Sequence, residues 1–300
     1  MSRKHGESLY GRRPSLAGID SYSIPDKDLT SLFRKVLDGK IHGLSFSPYV
    51  TGQGPGTRIE APQIVERMNI IQPYVNWVRS FSCTDGNELI PGIAHEMGLK
   101  TMVGVWLEGD HDKNEQELEN AIEVARAGHA DILAVGNEVL LRGDLPEDEL
   151  IDYVARAKQA VPGVPVGYVD AYFKFVDHPR VTDACDVILA NCYPFWEGCA
   201  AEYALLYMKD MYRRAVQAAN GKKVIISETG WPNVGTATGA AVPSYANAIR
   251  YFINTYQWAE EDHIEIFYFS SFDEDWKTGD EGDVGAYWGL WDKDGRLKYA

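Results

Sequence analysis

The sequence predicts a single (β/α)8 TIM barrel, and three observations carry that reading. Eight short apolar runs recur along the chain, rich in Val, Ile and Phe and nearly continuous in hydrophobicity, as parallel strands buried on both faces require. Longer amphipathic stretches alternate with them, which is the order of a parallel sheet covered by helices. No Gly/Ser linker, charge run or low-complexity tract divides the 300 residues, a length that one such barrel routinely uses. A doubly wound open sheet would want a Gly-rich phosphate turn after an early strand. The nearest candidate, Gly52-Gln53-Gly54-Pro55-Gly56, has the wrong spacing and no following Lys.

The expected strands are 41–49, 75–82, 100–107, 132–139, 165–170, 187–193, 223–228 and 264–271. Helical patterns lie between them. Leu118, Ala121, Ile122 and Ala125 repeat at helical spacing, as do Leu150, Ile151, Val154 and Ala157. Pro146 followed by Glu147, Asp148 and Glu149 reads as a first turn, with Pro at the first helical position and acids at the positive end of the helix dipole. Gly98, Gly128 and Gly221 stand where helices should stop. Further helices are expected over 61–71, 88–97, 200–219 and 244–259. One more, over 26–37, precedes the first strand. No eighth outer helix is evident after Ser271, so the outer ring is expected to be incomplete there, with the N-terminal helix covering the gap. The expected organisation is one catalytic domain over 1–300, with 1–24 as an N-terminal extension.

The chain is 45% hydrophobic, enough for a sizeable core, and carries a net charge of −15 from 29 basic and 44 acidic residues. A polyanion-binding surface needs clustered Lys and Arg, so nucleic acid and anionic membrane are excluded as partners and a neutral or cationic ligand is favoured. No stretch approaches the roughly 18 apolar residues of a membrane span. The first 18 residues carry Arg3, Lys4, Arg12 and Arg13 without an apolar h-region and do not read as a signal peptide. That leaves the cytoplasm as the default location, and an outside location open for a trimmed chain or a domain. The four cysteines (Cys83, Cys185, Cys192, Cys199) form no CxxC and are expected to be reduced, although Cys192 and Cys199 would suit a bridge outside the cytosol. No HxH or HExxH occurs, so no metal and no cofactor are expected. A monomer is expected.

Functional residues of such a barrel sit where strands end at its C-terminal face. The fourth run ends in Gly136-Asn137-Glu138 and the seventh in Ser227-Glu228-Thr229-Gly230-Trp231-Pro232. Both place a glutamate where a buried strand meets that face, on opposite sides of the barrel mouth. Glycoside hydrolysis needs this pair: an acid above the glycosidic oxygen and a second carboxylate below the sugar ring. The sixth run ends in Asn191-Cys192-Tyr193-Pro194-Phe195-Trp196, the first in Ser47-Pro48-Tyr49, and Arg79 sits on the second. Burial behind Ile132–Val135 and the charge of Glu228 should both raise the Glu138 pKa. Arg79 or Tyr193 would stabilise the Glu228 charge; alternatively Arg79 ties the barrel wall together.

Together, Gly136-Asn137-Glu138, Ser227-Glu228-Thr229-Gly230-Trp231-Pro232 and the Tyr-Pro-Phe/Trp turn between them resemble glycoside hydrolase family 17, the β-1,3-glucanases and related β-glucan transglycosylases. The resemblance extends from the first strand to Trp288-Gly289-Leu290-Trp291-Asp292. It implies a retaining enzyme acting on β-1,3-glucan by double displacement, with Glu138 as general acid/base and Glu228 as nucleophile. It further implies that Asn137 binds the 2-hydroxyl of the sugar beside the nucleophile and that Tyr193 holds Glu228 in place. Glu274 and Lys277 match a Glu-x-x-Lys pair that plant members carry beside the site. The tail Phe272-Asp273-Glu274-Asp275-Trp276-Lys277, with Tyr287-Trp288-Gly289-Leu290-Trp291, looks more like bacterial and fungal members, where glucanosyl transfer is better represented. Plain endo-β-1,3-glucanase action is the alternative, and a non-catalytic glucan-binding barrel a remote one.

Sugars stack their C–H faces on aromatic rings. Phe195, Trp196, Trp231, Trp276, Trp288 and Trp291 all follow strand ends and are expected along the groove; Tyr49 and Arg79 join the expected substrate contacts, and Tyr172 and Phe173 are weaker candidates. The acid-rich stretch 273–283 fails the EF-hand pattern, because Lys277 takes an oxygen-ligand position, and reads as a solvated loop.

Overall fold

The computed structural model describes residues 23–279 and 281–299. The expected extension over 1–24, with its four basic residues, therefore lies almost wholly outside the described residues. Eight parallel strands close into a barrel: β1 (Ile41–Ser45), β2 (Val75–Arg79), β3 (Lys100–Val105), β4 (Ile132–Asn137), β5 (Val166–Ala171), β6 (Val187–Asn191), β7 (Lys223–Thr229) and β8 (Ile266–Tyr268). Each pairs with its sequence neighbours, and β8 returns to β1. Most of the ladders are shorter than the apolar runs that announced them, because the residues after those strands continue into the mouth; β5 and β7 are not shorter than theirs.

The helices are α1 (Asp26–Leu37), α2 (Ala61–Ile71), α3 (Ile90–Glu96), α4 (His111–Arg126), α5 (Val139–Arg142), α6 (Glu147–Ala160), α7 (Lys174–Asp177), α8 (Pro179–Ala184), α9 (Ala204–Ala218) and α10 (Tyr245–Asp262). Pro146 is the N-cap of α6 rather than its first residue. The β5–β6 crossover carries α7 and α8, two short helices too brief to show an amphipathic repeat. Among the described residues no α-helix follows β8; the chain makes two 3-10 turns, Asp275–Thr278 and Gly282–Tyr287, across the barrel mouth. α1 fills the vacant place in the outer ring. It buries Leu29, Phe33 and Leu37, each contributing about 1.5–3 kcal/mol, and packs Phe33 on Phe252 of α10 at 4.7 Å. Arg250 of α10 bonds Asp26 at 2.7 Å.

Inside the barrel, Met102, Ile132, Ala134, Val169, Val187, Leu189, Ile225 and Phe267 form one packed cluster with Trp77 against it. His42 stacks on Trp77 and meets the edge of Phe267, and burial pushes its pKa down to about 4. This filled floor closes the barrel below and leaves the upper end for chemistry. Three register shifts occur, at Ala134/Asn137 against β5, Ala190/Asn191 against β7 and Ile226/Thr229 against β8. All three fall just before the residues that face the mouth, where bulges re-aim side chains. All four cysteines are free thiols. Among the described residues, no helix is long and apolar enough to cross a membrane.

Candidate active site

Glu138 follows β4 in the left-handed region, at φ = 51°, a conformation that costs a non-glycine residue of order 1–3 kcal/mol. Its surroundings fix it there. The Glu138 N–H bonds the Val169 carbonyl at 2.8 Å, and its own carbonyl accepts from Arg142 N at 2.9 Å. Leu140 N donates to the Tyr168 hydroxyl at 2.9 Å, and that hydroxyl donates to buried Asp170. Gly136, two residues earlier, has φ = 85°, and a Cβ there would meet Val139 Cγ2 at 3.0 Å. The turn that presents Glu138 therefore needs glycine at that position.

The two carboxylates have opposite environments. Burial, followed by the charge of Glu228, raises the Glu138 pKa to about 7. Asn191 Nδ2 donates to Glu138 Oε1 at 2.8 Å and pulls the other way; Asn191 is itself oriented by Ser227 Oγ at 2.8 Å. Glu228 receives Arg79 on one oxygen at 2.5 Å and the Tyr193 hydroxyl on the other at 2.7 Å. Two donors suit an acceptor-only, ionised carboxylate. Arg79 also donates to Asn137 Oδ1 at 2.7 Å and to the Ser227 carbonyl at 3.3 Å. One guanidinium thus ties β2, β4 and β7 together beneath the mouth.

Both glutamates open into a cleft of about 900 Å³. Tyr193, Asn137, Trp196, Trp288, Tyr49 and Trp276 line it, with Glu274, Lys277, Tyr172 and Phe173. Lys277 lies 3.3 Å from Glu274 and 3.9 Å from Glu281, over the Phe269 ring. Burial works against its charge, but Glu274, Glu281 and Glu228 together hold its pKa above the ordinary value. The stretch 273–283 is solvated at Asp275, Thr278, Gly279, Gly282 and Asp283, as a loop would be, yet its two turns also bring Glu274, Trp276, Lys277 and Glu281 to the cleft wall.

Four expected cleft contacts are corrected. Phe195 and Trp231 are 0% and 1% exposed. Their rings pack edge to face at 5.3 Å, and Trp231 Nε1 is spent on the Val242 carbonyl at 3.1 Å, so they fill the space behind the wall instead of facing a sugar. Arg79 is 1% exposed and is spent on Glu228 and Asn137, holding these two cleft residues instead of facing a ligand. Trp291 also turns inward, against Tyr74 and Phe272.

Two polar residues escaped the sequence reading. Asn191 ends β6 within an otherwise apolar run. Glu117, on α4, is fully buried yet lines the cleft. Its carboxylate accepts from Ser82 Oγ, Thr84 Oγ1, Cys83 N and Trp106 N at 2.5–3.0 Å, clamping the loops after β2 and β3. Its signal was position: Asn114, Glu117 and Ala121 share the buried face of α4, and a carboxylate on such a face needs internal donors. Among the described residues, no three His, Cys, Asp or Glu side chains gather to hold a metal ion.

A family model, the BtgE/BtgC glycoside hydrolase domain, matches residues 43–289. The chain belongs to that family. This glycoside hydrolase is 29% identical to a glucan 1,3-beta-glucosidase of Schizosaccharomyces pombe over 77% of each chain. Against a glucan 1,3-beta-glucosidase of Candida albicans it is again 29% identical, over 78% of this chain and 84% of the other. Among solved structures, the family 17 β-1,3-glucanosyltransferase of Rhizomucor miehei superposes with a TM-score of 0.77 at 28% identity, covering 87% of this hydrolase and 96% of that chain. The family 17 resemblance of the strand-end motifs therefore holds along the whole barrel.

Proposed function

We propose that this glycoside hydrolase acts on β-1,3-glucan by retaining double displacement, with Glu138 as acid/base and Glu228 as nucleophile, and passes the glucanosyl unit to a sugar acceptor. The observation that carries the roles is the contrast between the two carboxylates: one proton-holding near neutrality, one gripped by two donors. Protonated Glu138 gives its proton to the departing glycosidic oxygen while a Glu228 oxygen attacks C1, forming the glycosyl ester and releasing the reducing-end fragment. Glu138, now a carboxylate, takes a proton from the incoming hydroxyl, whose oxygen displaces Glu228 from C1. Asn137, with Oδ1 held by Arg79, keeps its amide N–H groups for a sugar hydroxyl.

Whether water or sugar intercepts the ester depends on the acceptor side. Water stands at about 55 M, and oriented groups reach effective molarities of roughly 10⁵ M or more, so an acceptor held by rings displaces water from the reaction. Trp196 and Trp288, tilted against each other at 5.4 Å beside the cleft, supply such a wall. The Rhizomucor miehei relative, a glucanosyltransferase seen with laminaritriose, favours the same reading. Millimolar laminari-oligosaccharides should yield products longer than the starting material by mass; products exclusively shorter across a wide concentration range would make the enzyme a glucanase. Glu228→Gln should stop turnover of every donor, whereas Glu138→Gln should spare donors with good leaving groups. The reverse pattern would exchange the two roles.

A further inference from the structure

Helices of this barrel run opposite to its strands, so α9 begins at the face that carries the cleft. The 3-10 turn Ala201–Tyr203 leads into it. Its buried side is made of Ala204, Met208, Met211 and Ala215, yet Tyr203, which ends the 3-10 turn and is 61% exposed, and Leu206, 70% exposed, and Tyr207 of the first helical turn face outward. Leu206 and Tyr207 stand three and four residues after Tyr203, the spacings at which each neighbours it on a helical turn. The core makes no use of these side chains, and large apolar groups left beside a binding cleft mark an interaction surface.

The row is joined to the cleft. The Tyr207 hydroxyl donates to Glu197 Oε2 at 2.6 Å, and Glu197 and Trp196 both line the cleft. Trp288 meets Trp196 at 5.4 Å, and Glu197, next along the chain, carries the path on to Tyr207 through that hydrogen bond. We propose that Tyr203, Leu206 and Tyr207 form a carbohydrate-binding platform that continues the cleft past Trp196 and holds the distal part of a β-glucan polymer. Neutral glucose units offer apolar C–H faces to such rings, and a protein of net charge −15 sets no repulsion against an uncharged chain. The inference rests on the glucan reading and names where a chain longer than the cleft travels.

The test compares the wild type with Tyr203→Ala/Leu206→Ala, which leaves the Tyr207–Glu197 bond in place; both side chains are exposed, and a thermal melt checks that the fold is retained. Retention on insoluble β-1,3-glucan and kcat/KM on that polymer are measured beside kcat/KM on short laminari-oligosaccharides. The polymer-to-oligosaccharide ratio of kcat/KM should fall roughly three- to tenfold, the scale of losing one stacked ring, with retention weakened to match. An unmoved ratio with short-substrate turnover intact overturns the platform and leaves the glucan reading standing. A wild type that turns over no laminari-oligosaccharide overturns the glucan reading, and the platform with it. A change in sedimentation of the free protein without a change in the ratio would assign the row to contact between copies and also overturn the proposal.

Discussion

Replacing Asn191 by Ala removes the 2.8 Å hydrogen bond to Glu138 Oε1 while leaving the burial and the Glu228 charge in place. That bond favours the ionised form of Glu138; burial and Glu228 oppose it and hold the pKa at about 7. A hydrogen bond to a charged group contributes about 1.5–3 kcal/mol, and a tenfold change in a protonation equilibrium is about 1.4 kcal/mol. Water entering the vacated space restores part of the loss. The alkaline limb of kcat/KM, which reports the free enzyme's acid, should therefore move up by about one pH unit. Wild-type activity should fall as pH rises through about 7, and the variant should keep its activity about one pH unit further. Asn191→Asp, which sets an anion beside the acid, should move the limb in the same direction and further. The assay is initial-rate kinetics on a laminari-oligosaccharide well below KM, from pH 4 to 9. A limb that stays put, or moves down, would mean that Glu138 is not the group whose protonation limits the reaction.

The proton on Glu138 also bears on stability. Its pKa is raised from 4.5 to about 7 on folding, so stability is full below the unfolded value and is lost as pH rises through the folded one, by up to about 3 kcal/mol. Glu138→Gln should melt several degrees above the wild type at pH 8 and no higher at pH 4; equal differences at both would sink this assignment. Arg79→Met should lower kcat far more than it changes KM and cost about 3–5 kcal/mol in denaturant unfolding, because Glu228 is left buried with Tyr193 alone; a KM effect by itself would return Arg79 to substrate contact. His42, held down at about 4 from 6.5 by burial, resists a proton that the unfolded chain accepts, so stability should fall as pH drops between those values. His42→Gln should flatten that acid slope, and an unchanged slope would locate the acid sensitivity elsewhere.

The barrel was legible because its strands are buried on both faces and write themselves as unbroken apolar runs. Where the strands stop was not, since Phe46, Ser80 and Cys192 lie past the strand ends yet remain buried and still donate their backbone N–H groups to the Arg79, Met102 and Glu228 carbonyls of the neighbouring strands. The two glutamates stood out because a carboxylate ending a buried strand is costly to desolvate unless donors or a reaction make use of it. Aromatic residues after strands were ambiguous for a physical reason. A ring at the mouth either meets the ligand, as the exposed Trp196 and Trp276 are placed to do, or seals the loops beneath it, as Phe195 and Trp231 do, and both uses select the same side chain. Glu117 and Asn191 were hidden because their partners are backbone groups and side chains brought near only by folding.

The outer ring of this barrel is completed by its first helix, and that joins the two ends of the fold. Phe33 of α1 meets Phe252 of α10 and Tyr299 near the end of the chain, while β1 and β8 are already paired. A short peptide linking residue 299 to residue 26 would therefore cross a flank, not the cleft. New ends could then be opened at the exposed turn Asn220-Gly221 before β7, at the end of the barrel away from the cleft. Such a circular permutant would keep every ladder and both catalytic strands whole, and would bring α10 and α1 together along the chain before the last strands are made. The flank of the barrel is thus sealed by one aromatic contact, Phe33 between Phe252 and Tyr299, that draws together residues far apart in sequence.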